Sequence, residues 1–212
     1  MREITNDDLL LLLNEANSKR SFFWDHYEEL AGRKACYTLY GPMTHGLGAL
    51  VPCMLTHNGE RKLTKSTKRM NYAIYEMDQN FKVIRTTHIR DYTRVDCTYH
   101  HFEIDGVTYA CEFYADKKQW TGEKICALRY ENGKPVYFAS CNGHYILAFF
   151  MEYVSSKKMM VTTRSLSYQF KSSIHGLVPD WNAPPNTPHA LSTMSYREEP
   201  VPNIDFSRYF AE

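Results

Sequence analysis

The chain has 212 residues, which is enough for one sizeable hydrophobic core, and no long low-complexity stretch divides it. Its 25 Lys and Arg residues nearly balance its 24 Asp and Glu residues. The summed charge therefore gives no general reason to expect nucleic acid or an acidic lipid surface as the partner. No apolar segment approaches the roughly 20 residues of a membrane span, so the sequence argues against a membrane protein.

Six cysteines are spread along the chain without any C-x-x-C pair. The apolar run from Leu9 to Leu13 follows two aspartates, whereas a secretory signal has a basic start. Scattered thiols of this kind are typical of reducing compartments, where a buried cysteine packs as a small apolar residue. We therefore expect reduced, mostly buried thiols and a cytoplasmic location.

Two short helices are predicted within residues 1–34. Thr5 to Asp8 have the T-x-x-D form of a capping box, and an apolar run follows them. The second helix is predicted in "SFFWDHYEELAGRK", where Gly32 is a C-terminal stop signal. Three of its residues share one apolar face: Phe23, Tyr27 and Leu30.

Residues 35–170 are predicted to form an antiparallel up-and-down meander of eight to ten strands. Asp105-Gly106, Asn132-Gly133 and Asn142-Gly143 favour two-residue hairpins, because a type I′ turn needs positive φ at both central residues. The connections are too short for parallel pairing. Closing the sheet would remove its exposed edges, so we expect a barrel; a strongly curved open sheet or a sandwich is the alternative.

Residues 171–212 carry six of the nine prolines and are predicted to be an irregular tail, since a Pro-rich segment cannot form a central strand. Aromatic residues such as Trp181 and Phe206 indicate that this tail packs on the barrel. We expect one globular domain overall. The basic segment 59–70 is predicted to be a solvated loop or a mobile lid. Its alternative role, contact with the phosphates of a nucleic acid, is the least favoured reading.

The Asp105-Gly106 turn fixes the register of the strands beside it. His100 should then face Cys111, and, if Tyr92-Thr93 is the preceding loop, Arg85 should face His100. The face that they share is largely apolar and is the natural interior of a barrel. It carries Val83, Arg85, Thr87, Thr98, His100, Phe102, Ile104, Val107, Tyr109, Cys111 and Phe113. The opposite face is predicted to be polar and carries Tyr99, His101, Glu103, Thr108, Glu112 and Tyr114. No metal site is expected there.

Three side chains on the apolar face are candidate catalytic or ligand-orienting residues: Arg85, His100 and Tyr109. The walls of the ligand pocket would be formed by Thr98, Phe102, Cys111 and Phe113. Small-molecule pockets are usually mostly apolar with a few convergent polar groups, and this set of residues has that composition. The arginine fork suits a carboxylate. Desolvation and a nearby cation would keep the histidine neutral near pH 7. The alternative is a purely structural role for the histidine and the arginine.

The later strands do not separate into an inward and an outward face. Asn132-Gly133 predicts that Glu131 faces Lys134 and that Arg129 faces Val136. Both faces are then apolar, so the outer face should be covered. The alternatives for its cover are the N-terminal helices, the aromatic tail and a second subunit, the last of which would make a homodimer.

Two segments resemble lipocalin-like (calycin) barrels: "LAGRKACYTLY" at 30–40 and "DYTRVDCTYHHFEIDGVTYACEFYADKK" at 91–118. They are most similar to the family of molybdenum cofactor biosynthesis protein F and, more remotely, to phenolic acid decarboxylases. The decarboxylases have closely spaced tyrosines, whereas Tyr37 and Tyr40 are three apart here and the nearest acid after the aromatic run is Asp116. No catalytic residue is therefore carried over. The resemblance implies a small-molecule barrel with cofactor-independent lyase or isomerase chemistry on an aromatic acid.

These observations predict a β-barrel that binds a small, partly aromatic, anionic ligand without a cofactor. Whether it turns that ligand over, as a decarboxylase-like lyase or an isomerase, is left open. The alternative is a protein-interaction module, either toxin-neutralising or scaffolding, that uses exposed tyrosines and the C-terminal tail.

Overall fold

The protein is mainly β. The computed structural model describes residues 4–43, 50, 63–113, 124–142, 145–167, 170–173, 176–179, 191–201 and 205–211. Within these ranges the strands are β1 Tyr37–Gly41, β2 Tyr72–Met77, β3 Val83–Arg90, β4 Arg94–Ile104, β5 Val107–Phe113, β6 Ile125–Glu131, β7 Lys134–Asn142, β8 Tyr145–Tyr153, β9 Lys158–Ser167, β10 Phe170–Ser173, β11 Gly176–Pro179 and β12 Leu191–Pro200. Residues 44–49 and 51–62 lie outside the described ranges, and they include residues 59–62 of the predicted basic loop.

Three short helices precede the strands: α1 Asn6–Ser18, α2 Arg20–Asp25 and α3 Tyr27–Gly32. The predicted capping box is confirmed, because the Thr5 backbone N–H donates to the Asp8 carboxylate at 2.9 Å and the Asp8 N–H donates to the Thr5 hydroxyl at 3.2 Å. The second predicted helix is split into α2 and α3, and it ends at Gly32 as expected. None of the described helices is long and apolar enough to cross a membrane.

The strands follow an antiparallel up-and-down order, which confirms the predicted meander. The sheet order is β1-β2-β3-β4-β5-β6-β7-β8-β9-β12, and β10 and β11 form a separate hairpin. Each strand of the meander thus neighbours the next one in the sequence, apart from the step from β9 to β12. Closure into a barrel stays a prediction.

Two of the three predicted two-residue turns are confirmed by backbone angles. The third, at Asn142-Gly143, is wrong by one residue, because Asn142 is paired with Tyr145 in the ladder of β7 and β8; Gly143 lies outside the described residues. Asp105 and Gly106 have φ values of 51° and 75°, and Asn132 and Gly133 have φ values of 50° and 73°. Positive φ at both central residues matches the right-handed twist of the flanking strands. The Asp105-Gly106 turn sets the predicted pairing of β4 with β5, in which His100 faces Cys111.

The connection between β3 and β4 differs from the prediction by one residue. It has three residues, 91–93, where two were expected. A bulge at Asp96 on β4 adds one further unpaired residue. The two additions compensate, and the predicted pairing of Arg85 with His100 is confirmed.

The predicted register of β6 with β7 is wrong beyond the turn. Glu131 faces Lys134 as expected, but Arg129 faces Tyr137 in place of Val136. The cause is a bulge beside Pro135, whose ring nitrogen cannot donate a ladder hydrogen bond. Every pair after the bulge is therefore shifted by one residue, and the side chains of β7 exchange faces relative to those of β6.

The predicted irregular tail contains a regular strand. β12 pairs with β9 along its whole length, from Leu191 opposite Ser167 to Pro200 opposite Lys158. Prolines occur on both sides of residues 191–199 but not within them, so the ladder donors of this stretch are intact. The proline content of the whole tail predicted irregular structure, but the stretch between the prolines forms a strand.

The chain divides into two compact units, which are described separately. The β1–β5 unit comprises Ser21–Gly122 and Pro202–Glu212, and the β6–β12 unit comprises Met1–Arg20 and Glu123–Val201. In the β1–β5 unit a hydrophobic core forms on β1 and β2, with Phe206 from the C-terminal segment. In the β6–β12 unit α1 packs across β6, β7 and β8. An N-terminal helix, one of the predicted alternatives, therefore covers part of these strands.

The described cysteines are thiols, and four of the five are buried: Cys97, Cys111, Cys126 and Cys141, with Cys36 exposed. Burial raises the pKa of the Cys141 thiol to about 12. Such a thiol is protonated near neutral pH and packs as a small apolar group.

Candidate functional site

The face of β3–β5 that carries His100 is packed against α2 and α3 of its own unit. Phe22 stacks on Phe102 with ring centroids 5.2 Å apart. Tyr27 lies edge-on to His100 at 5.6 Å and contacts the ring of Phe113 at 5.4 Å. The face predicted to line a ligand pocket is thus lined by aromatic side chains of the protein itself.

Arg85 is bound to protein groups on two sides. Its Nε and Nη2 donate to the two carboxylate oxygens of Glu76 at 2.5 and 2.6 Å, and its Nη1 donates to the Ala31 carbonyl at 2.9 Å. The hydrogen bonds to Glu76 raise the pKa of the guanidinium above its usual value. Arg85 therefore joins β2, β3 and the end of α3, and the bidentate geometry expected for a ligand carboxylate is taken up by Glu76.

His100 is buried and neutral, as expected from its surroundings. Burial lowers its pKa to about 4, and the charges of Arg85 and Arg33 act in the same direction, whereas a hydrogen bond with the Leu30 backbone opposes them. The Phe23 ring lies 6.2 Å from the imidazole. His100 is thus held between the sheet and α2–α3 in its uncharged form.

The remaining predicted site residues lie on the same face as His100. Thr98 pairs with Phe113, and Phe102 pairs with Tyr109, as the register predicts. Tyr109 is buried and stacks on Phe102 at 5.6 Å. The register thus brings the candidate residues together, while α2 and α3 supply the groups that they contact.

The opposite face of β2–β5, predicted to be polar and wet, is buried. His101 is 2% exposed and Glu112 is 6% exposed, whereas Glu103 is exposed as expected. This face carries polar side chains as predicted, but His101 and Glu112 are buried in it and do not lie on the surface. We call the set on this face the buried polar face: Tyr75, Thr86, His88, Cys97, Tyr99, His101 and Glu112.

Two cross-strand contacts link most of this set. The Tyr99 hydroxyl donates to Glu112 Oε1 at 2.5 Å, and Cys97 Sγ lies 3.4 Å from His88 Nδ1. The His88 and Tyr99 rings are 5.3 Å apart, so the two pairs adjoin. A carboxylate, a phenol, an imidazole and a thiol are the groups that most often exchange protons with ligands in proteins.

His101 belongs to the buried polar face but is bound to the scaffold. Its Nε2 lies 3.2 Å from the Thr86 hydroxyl, and its backbone carbonyl accepts a hydrogen bond from Arg33. Burial lowers the pKa of its imidazole to about 3, and the charge of Arg33 is the next cause. His101 is therefore neutral at physiological pH and anchors the α3 end of the unit.

The sequence contains a signal for the buried polar face. Tyr99 and Glu112 already appear together on the second face of the predicted register. The same register places His88 opposite Cys97 on that face. Four side-chain types that can exchange protons therefore lie on adjacent strands of one predicted face, and this coincidence could have identified the set.

Comparison with family models, curated proteins and solved structures finds no match for this chain. The resemblance to lipocalin-like barrels therefore stays a prediction.

Proposed function

We propose that the protein binds a small molecule at the buried polar face and that the sheet closes into a barrel around it. The observation that supports this proposal is the pair of adjoining contacts, Tyr99 with Glu112 and His88 with Cys97, at buried positions of one face. Burying polar groups costs free energy, and a face that served packing alone would be more stable with apolar side chains. A ligand that hydrogen-bonds to these groups accounts for their presence.

The charges on this face favour a ligand that donates hydrogen bonds. Glu112 has two acceptor oxygens, and no buried residue described on this face is Lys or Arg. The aromatic ring of Tyr99 would contact a flat apolar body. A phenol or an N–H heterocycle satisfies both requirements, so on this face we propose such a group where the sequence suggested an anion.

Acid–base turnover at the same residues is an extension of this proposal. Glu112 would accept a proton and the Tyr99 hydroxyl would donate one, which is the chemistry of a cofactor-independent lyase or isomerase. Binding alone requires the same two residues, so binding is the property to test first.

The test is a thermal-shift series with 4-hydroxyacetophenone, its methyl ether 4-methoxyacetophenone and 4-hydroxybenzoate. The phenol should raise Tm, whereas the ether lacks the donor and should not. At a concentration about 100 times Kd, binding adds about 2.7 kcal/mol, which corresponds to roughly 5–10 °C for a chain of this size. A shift with the benzoate alone would favour an anion site and contradict the proposed ligand class.

Matched tyrosines on the two faces locate the site. Tyr99→Phe and Glu112→Gln should abolish the phenol-induced shift, whereas Tyr109→Phe, a buried tyrosine on the face covered by α2 and α3, should retain it. Each shift is measured against the Tm of the same variant without ligand, so a change in stability does not obscure it. Loss of the shift in Tyr109→Phe with retention in Tyr99→Phe would overturn the proposal, as would no shift with any of the three compounds.

A protein-interaction role is the second candidate, because large apolar side chains are exposed on the last strand of the sheet. Met194 is 46% exposed and Tyr196 is 49% exposed on β12. A second copy of the chain would cover them in a homodimer. Sedimentation velocity of the wild type and of Tyr196→Ser tests this role: a dimer that the variant loses supports it, and a monomer at all concentrations contradicts self-association.

A further inference from the structure

A groove of about 690 Å³ lies within the β6–β12 unit, between α1 and the strands that it crosses. This volume is within the range of about 300–1,000 Å³ that is usual for small-molecule sites. The groove shares no residue with the buried polar face of the β1–β5 unit. It is therefore a separate candidate site.

The floor of the groove is a row of cross-strand neighbours. Arg129 of β6 faces Tyr137 of β7, Tyr137 faces Phe150 of β8, and Phe150 faces Thr162 of β9. The bulge beside Pro135 creates this row, because the unbulged register would place Val136 opposite Arg129. Aromatic rings thus form the middle of the floor, with a guanidinium at one end and a hydroxyl at the other.

The wall of the groove is one face of α1. Asp8, Leu11, Leu12 and Glu15 are spaced at intervals of three and four residues, which brings them to one side of a helix. Leu11 is 67% exposed. Apolar contact area on this wall is therefore available next to two carboxylates.

The charge on the lining is predominantly negative. Four carboxylates, from Asp8, Glu15, Glu131 and Glu152, face one guanidinium, from Arg129. That guanidinium lies 4.0 Å from the Glu131 carboxylate, so part of its charge is already compensated. The remaining field attracts cations and repels anions.

Tyr137 lies between the opposite charges of the groove. Burial raises the pKa of its phenol to about 12, the charge of Glu15 adds to this effect, and the charge of Arg129 opposes it. The hydroxyl is therefore protonated near neutral pH and available as a neutral polar group beside the carboxylates.

We propose that this groove binds an organic cation, in which a primary ammonium is attached to an aromatic or alkyl body. The ammonium group lies beside Glu15 and Glu152, with the phenol of Tyr137 as a further hydrogen-bond partner. The apolar body packs on Phe150 and Leu11. The site combines charge complementarity with apolar area, which is the composition that small-molecule sites share.

The test uses three compounds that have the same ring and differ in charge, with the full chain and isothermal titration calorimetry. The cation 2-phenylethylamine should bind, the neutral 2-phenylethanol should bind at least about tenfold more weakly, and the anion 3-phenylpropionate should not bind. Raising the salt concentration should weaken binding of the amine, because the carboxylates are partly exposed and screened. Equal affinity for the amine and the alcohol, or tighter binding of the anion, would overturn the proposal.

Charge-removing variants locate the ammonium group. Glu15→Gln and Glu152→Gln should each reduce the affinity for 2-phenylethylamine about fivefold or more, and the double variant should reduce it further. Asp7→Asn removes the same charge from an exposed position of α1 that does not line the groove, and should retain the wild-type affinity. Amine affinity that is unchanged in Glu15→Gln and Glu152→Gln, or lowered equally by Asp7→Asn, would contradict this site.

The Glu112→Gln variant separates this proposal from the function proposed above. It removes a carboxylate from the β1–β5 unit and should retain the affinity for 2-phenylethylamine. Loss of amine binding in Glu112→Gln, with retention in Glu15→Gln, would place the amine site in the β1–β5 unit and overturn the groove proposal.

Discussion

The two faces of β3–β5 bury polar side chains in different ways. On the face covered by α2 and α3, polar groups also contact helix backbone: Arg85, which is paired with Glu76, donates to the Ala31 carbonyl, and His100 interacts with the Leu30 backbone. On the other face, the described contacts join polar side chains to each other, as in the pair of Tyr99 with Glu112. Burial alone therefore does not identify a site. The two faces differ in their contacts: helix backbone accepts a hydrogen bond from Arg85 on the first face, and the Tyr99–Glu112 pair links neighbouring strands on the second.

The largest effect is expected from a substitution that weakens the packing of α2 on the first face. Phe23 is buried in α2 and lies against His100 and Phe102. Phe23→Ala should lower the free energy of unfolding by about 3–5 kcal/mol, because a buried aromatic ring leaves a cavity. Urea denaturation measures this loss. Trp24→Ala, at the neighbouring exposed position, is the control and should cost about 1 kcal/mol or less.

A loss of about 1 kcal/mol in Phe23→Ala would mean that α2 is loosely attached. The face that carries His100 would then be available to ligands, and the difference between the two faces would disappear.

Low pH should also destabilise the fold by protonating His100 on the first face. The pKa of His100 falls from about 6.5 in the unfolded chain to about 4 in the folded one, so between these pH values the unfolded state binds the extra proton. Stability should therefore be full above pH 6.5 and fall as the pH is lowered towards 4, with a loss on the order of 3 kcal/mol from this residue. Urea denaturation from pH 4 to pH 7 measures the slope.

His101 contributes in the same direction, because its pKa is also lowered. His100→Leu should therefore reduce the slope without abolishing it, and NMR titration of the His100 ring should give a midpoint well below 6.5. A midpoint near 6.5 would show that this imidazole is reached by water and would contradict its burial under α2 and α3.

The smallest expected effect is on the second face. Tyr99→Phe removes the hydrogen bond to the Glu112 carboxylate and should lower the free energy of unfolding by about 1–2 kcal/mol. A double-mutant cycle with Glu112→Gln should give a coupling energy of about 1 kcal/mol. Tyr72→Phe, which removes an exposed hydrogen bond to the Tyr92 carbonyl, is the matched control with little effect. A coupling energy near zero would show that the two side chains act independently.

Local signals in the sequence predicted the elements of the fold. The capping box at Thr5 and the turns at Asp105-Gly106 and Asn132-Gly133 depend on neighbouring residues alone, and all three are confirmed. From the Asp105-Gly106 turn, the pairing of His100 with Cys111 followed correctly. Turn geometry propagates along a ladder as long as no residue is added to either strand.

Local signals were insufficient where tertiary contacts determined the structure. The bulge beside Pro135 shifted the register of β7, and no pattern in the sequence fixed its position. α2 and α3 cover the face that alternation alone marked as a barrel interior, because an apolar strand face can pack on helices as well as on a lumen. The strand β12 was not predicted, because prolines on either side of it indicated irregular structure.

The paired irregularities between β3 and β4 have a consequence for the chemistry of the buried polar face. One additional loop residue and one bulged residue, Asp96, leave His88 opposite Cys97. If Asp96 entered the ladder, or if the loop closed with two residues, the strands would shift by one position and Cys97 would no longer face His88. If both changes occurred together, the contact would be restored. The three-residue loop and the bulge therefore act together in selecting which side chain of β4 faces the imidazole of His88.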